Sequence, residues 1–149
     1  MRRATPKLRD FAVRLIGYET RRHGTSDDKV PSARLASERL RPHLSKFMGN
    51  IGFNALLSRA LVLGIADVPW LSSVRVKTDG SLEGFEGLSA QIAPEEFTEG
   101  CVTLFSHLLG LLAAFIGEEL TLRLVSEAWP ELSPIELDFG KGDKNEKAN

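Results

Sequence analysis

Large apolar residues recur at three- and four-residue steps within 94–129: Phe97, Cys101, Leu104, Phe105, Leu108, Leu112 and Phe115. That spacing places them on one face of a helix. Thr103, Ser106, Gly110, Ala113, Ala114, Gly117 and Thr121 fall on the opposite, small-residue side. Pro94-Glu95-Glu96 reads as a first helical turn, and Pro130 marks the end. Beyond Gly117 the apolar phase shifts to Leu122, Val125 and Trp129, which predicts a kink or restart near Gly117-Glu118. Bulk on one side and small groups on the other predict a central helix. One neighbour interdigitates with the large side chains while a second backbone comes close along the strip.

The rest of the chain is read against that helix. Over 51–65, Ile51, Phe53, Leu56, Leu57, Ala60, Leu61, Val62, Leu63 and Ile65 cover nearly the whole circumference, so this segment is expected to be surrounded by others. A preceding helix from Pro31-Ser32 carries Leu35, Ala36, Leu40, Leu44, Phe47 and Met48. Pro42 inside it predicts a kink or break near Arg41, and Gly49 ends it. Residues 4–22 form a first helix with Leu8, Phe11, Leu15, Ile16 and Tyr18 near one face, followed by a polar 23–30 connection. Val74-Arg75-Val76-Lys77, the turn signal Thr78-Asp79-Gly80-Ser81 and the 82–85 return predict a short hairpin. Residues 86–93 are a connection with a helical turn. The expected architecture is an all-α globular bundle of four to five helices with one short β-hairpin. Its core draws on Leu56, Leu57, Ala60, Leu61, Leu104, Phe105, Leu108, Leu112 and Phe115. Residues 1–139 are read as one domain, in which 1–30 either docks or forms a semi-independent basic helix and loop. Ile135, Leu137 and Phe139 add an extended segment, and 140–149 reads as a disordered polar tail.

A chain of 149 residues with 42% hydrophobic and 26% charged content has room for one core. The lone Cys101 excludes an internal disulfide framework and any multi-cysteine zinc site. The net charge of −1 conceals a basic first part, with 12 Lys/Arg and 5 Asp/Glu in residues 1–46, and an acidic remainder. Asp10, Arg14 and Glu19 interrupt any secretory apolar core, and the first helix is patterned to pack, so a cytoplasmic protein is expected. The uncharged run 102–117 spans 16 residues, short of the roughly 20 a bilayer requires, and reads as a buried core helix rather than a membrane span.

Candidate chemistry is sparse. None of His23, His43 and His107 has a glutamate three residues before it, and no His-Glu-x-x-His occurs. Ser106 and His107 are adjacent on a helix and diverge by about 100°, so they cannot form a nucleophile–base pair. No nucleophile elbow or phosphate-binding glycine loop is present, and no motif carries a family resemblance. The expected function is therefore a non-enzymatic protein-interaction or regulatory module that needs no cofactor or metal. Homodimerisation and a wholly internal cover for the apolar faces stand as alternatives. The candidate interaction surface comprises Arg2, Arg3, Arg21, Arg22, Trp70, Gly110, Gly117 and Trp129. The alternatives in function are nucleic-acid binding through the basic amino-terminal helix, where residues 1–22 hold seven Lys/Arg against two Asp/Glu, and an enzyme whose site is assembled from scattered residues.

Overall fold

The element that the others cover is a helix over Pro94–Ile116 in which every residue from 100 to 109 is buried. A computed structural model describes residues 6–23, 32–85 and 87–132. In chain order these form α1 (Pro6–His23), α2 (Ser32–Asp67), a 3-10 turn (Pro69–Ser73), β1 (Arg75–Val76), β2 (Leu82–Glu83), the single turn α3 (Leu88–Gln91), α4 (Pro94–Ile116) and α5 (Glu118–Ala128). The expected all-α bundle with one small hairpin is the observed fold. Expectations for residues 1–5, for the 23–30 connection beyond His23, for the 135–139 segment and for the 140–149 tail lie outside the described residues.

Pro94 occupies the first turn of α4, where its missing N–H costs nothing, and Glu95 and Glu96 favour the positive end of the helix dipole. The helix stops at Gly117, whose φ of 95° is accessible mainly to glycine. α5 restarts there, and the Thr121 hydroxyl donates to the Gly117 carbonyl at 2.8 Å. α4 packs against α1, α2 and α5. Its small strip divides in two. Thr103 and Ser106 are buried beneath neighbours, whereas Ala114 and Gly117 face solvent.

α2 departs from expectation twice. The chain runs helically through Pro42; the break falls instead at Gly49, where the sequence places the end of this helix, at φ 75° and ψ 168°. Pro42 is exposed while Leu40 and Leu44 beside it are fully buried, so packing holds the helix together across the lost hydrogen bond. The second correction concerns the segment after Gly49. Phe53, Leu57, Ala60 and Gly64 are buried, but Ile51 is 86% exposed and Val62 is 64% exposed. This segment is covered on one side only. Gly64 sets that contact, because a Cβ there would lie 3.0 Å from a Leu71 methyl and 3.7 Å from the Leu104 Cα.

The hairpin pairs Arg75 with Glu83 and Val76 with Leu82, antiparallel. Its strands are short, and Val74, Leu82 and Phe85 anchor it by burial. The Asn54 amide donates to the Thr78 carbonyl at 2.7 Å and ties the turn to α2. Two expected core residues are placed elsewhere: Leu56 is half-buried and Phe115 is 67% exposed. α1 instead supplies Leu8, Phe11, Leu15 and Ile16, all buried, so Pro6–His23 docks on the core rather than swinging free.

Candidate functional site

The densest polar cluster joins three parts of the chain around one carboxylate. Glu19 on α1 is 1% exposed, and its Oε2 accepts from Arg39 Nε of α2 at 2.7 Å and from Trp129 Nε1 at 2.8 Å. Arg39 also donates to the Ala128 carbonyl at 2.9 Å and to Glu131, whose carboxylate accepts the Tyr18 hydroxyl at 2.9 Å. The Arg39 guanidinium lies 5.4 Å from the Trp129 ring centroid and 5.9 Å from that of Tyr18. Burial alone would lower the Arg39 pKa, but hydrogen bonds and charge from Glu131 and Glu19 outweigh it and hold it above the ordinary value. The Arg39 hydrogen bond holds Glu131 down at about 2, from an ordinary 4.5. The donors and acceptors of this cluster face one another, so it fastens helices rather than presenting chemistry.

This cluster makes a pH prediction. The folded pKa of Glu131 lies below its unfolded value, so its contribution is fully present above about pH 4.5 and fades as pH falls toward 2. The melting-temperature difference between wild type and Glu131→Gln should shrink through that window and stay constant between pH 5 and 7. A difference that is flat down to pH 2 would show the clasp to be energetically silent.

His107 is 6% exposed and its Nε2 lies 2.9 Å from Asp67 Oδ2, its hydrogen-bond partner among the described residues. The Ser106 hydroxyl donates instead to the Thr103 carbonyl at 3.1 Å, so the two neighbours diverge as their helical positions require. Burial pushes the Cys101 thiol up to about 11, which leaves almost no thiolate at neutral pH. Among the described residues no three His, Cys, Asp or Glu side chains converge where a metal ion could sit.

The sequence-predicted surface residues scatter. Trp129 is fully buried and belongs to the core. Trp70 is half-buried, stacked on Phe97 at 5.3 Å between centroids, with Gly100 beneath its ring. Gly110 is half-buried on α4, Gly117 is exposed at the α4–α5 corner, and Arg21 is exposed on α1. Arg22 lies in α1, and Arg2 and Arg3 lie outside the described residues. Of the basic residues of α1, Arg9 is paired with Glu99 of α4.

The surface that the structure does assemble is a stripe of α2. Ile51, Ala55, Ser58 and Val62 are all exposed and Ile65 is half-buried, at alternating steps of four and three. Arg59 is the only charged residue over 47–66. α2 and α4 are each long and apolar enough to cross a membrane by length and composition. Their surroundings differ: 61% of the apolar stretch of α4 is buried inside the fold, against 28% for α2. The fold therefore defines a class, an all-α bundle with a small hairpin, and among the described residues it leaves this apolar face of α2 exposed. No protein family, curated protein or solved structure matches the chain.

Proposed function

We propose that this chain is a non-enzymatic interaction module of the cytoplasm that pairs with a second copy of itself through the exposed stripe of α2. The observation that supports this is the seam of exposed Ile51, Ala55, Ser58 and Val62, ending on half-buried Ile65, with Arg59 the only charged residue over 47–66. Large apolar groups left in water favour association by roughly 25 cal/mol per Å² of surface removed. Small Ala55 and Ser58 between Ile51 and Val62 let two helices approach to the usual 8–10 Å or so. A stripe nearly free of charge carries no sign with which to select an oppositely charged partner. Under a two-fold axis it meets its own apolar surface instead.

The test is sedimentation or light scattering across a hundredfold dilution. Wild type should dissociate on dilution, and Ile51→Asp with Val62→Asp should be monomeric throughout with an unchanged thermal melt. Burying an unpaired carboxylate costs about 3 kcal/mol or more, so each substitution should weaken dimerisation by at least about 100-fold. A wild type that is monomeric at high concentration, or a variant that still dimerises, would overturn the assignment. Vesicle flotation of wild type that the double variant loses would reassign the stripe to a lipid surface.

A further inference from the structure

A cavity of about 440 Å³ opens between the first half of α2 and the hairpin turn. Arg34 and Arg41 enter it from α2, seven residues apart and so on one helix face, and Lys77 enters from the end of β1. Two carboxylates also line it, and both are engaged. Glu38 pairs with Arg41, one turn away. The Asp79 carboxylate accepts the Ser81 amide at 3.0 Å and the Ser81 hydroxyl at 2.7 Å, and those two bonds hold it below the ordinary carboxylate range. Arg41 is held further by the Asp79 backbone carbonyl.

The remaining donors are unspent. Among the described residues neither the half-buried Arg34 nor the exposed Lys77 makes a side-chain hydrogen bond or ion pair, and the Asp79 carboxylate feels the charge of Lys77. We propose that this cavity binds a small organic anion whose carboxylate or phosphate is held between Arg34 and Lys77. The guanidinium fork matches two oxygens of either group, and the ammonium adds a point charge. Leu35 gives the ligand body an apolar wall. The cleft is open to solvent on the side of Lys77 and Asp79 and leaves room for a body larger than a bare oxyanion. The walls are set in advance, because Asn54 and Arg41 both fasten the turn that carries Lys77 and Ser81.

Thermal melts of the whole chain test this with inorganic phosphate and with succinate, each compared with chloride at equal ionic strength. At about ten times its dissociation constant, a single-site ligand should raise Tm by about 3–5 °C. The rise should vanish in Arg34→Gln and in Lys77→Gln, and persist in Arg123→Gln, a substitution on the exposed face of α5. A response to phosphate alone or to succinate alone supports the site and names the head group. No rise with either anion, or a rise that survives in both cavity variants, would overturn the proposal. Arg34 and Lys77 do not contribute to the core, so loss of the response with a normal melt in chloride reports binding.

Discussion

Replacing Glu19 by alanine is expected to destabilise the fold by about 3–5 kcal/mol. The carboxylate is buried and serves two donors from distant parts of the chain, Arg39 Nε and Trp129 Nε1. Removing it leaves the indole N–H of a fully buried tryptophan without its acceptor, a loss of about 1–3 kcal/mol. It also strips one of two carboxylates from Arg39, whose side chain is 22% exposed and cannot turn fully to water. Glu19→Gln keeps an acceptor of the same shape and should cost clearly less than the alanine variant. Chemical denaturation of both variants checks this. A Glu19→Ala cost under about 1 kcal/mol would mean that Arg39 and Trp129 find replacement partners, and that the cluster does not fasten α1 to the rest.

Gly100→Ala is expected to destabilise by about 1–3 kcal/mol, although alanine is the better helix former by roughly 1 kcal/mol. A Cβ at Gly100 would stand 2.9 Å from Trp70 Cε2 and Cη2 and closer still to Cζ2. The ring cannot simply slide away. It is stacked on Phe97 with 9° between planes, and Phe97 in turn makes a T-shaped pair with Phe85 at 6.0 Å. The decisive measurement is a double-mutant cycle. In a Trp70→Ala background the obstruction is gone, and the same Gly100→Ala change should become stabilising by about 0.5–1 kcal/mol. Equal effects in both backgrounds would show that the close approach of ring and backbone does not govern this position.

Local signals in the sequence determined where the helices begin and end. Pro94, Gly117, Gly49 and the Thr78–Ser81 turn act through torsion angles of one or a few residues, and three- and four-residue apolar steps act through the pitch of a single helix. Those are short-range causes, and a reader of the sequence has all of them. Which apolar side chains are covered is a different matter, because it depends on elements far away in the chain. Phe115 and Val62 have the same local pattern as Phe105 and Leu61, yet the first two face solvent and the last two are buried. Apolar spacing states that a side chain would gain from cover, not that a neighbour is there to provide it. Pro42 follows the same logic: the local rule predicts a break, and burial of Leu40 and Leu44 on either side outweighs it. The clasp and the cavity were equally out of reach. Glu19 and Trp129 are 110 positions apart, and Arg34 and Lys77 come from different elements. No spacing rule links such residues. Only the docking of α1, α2, the hairpin turn and the end of α5 brings them together, through the burial of the shared core.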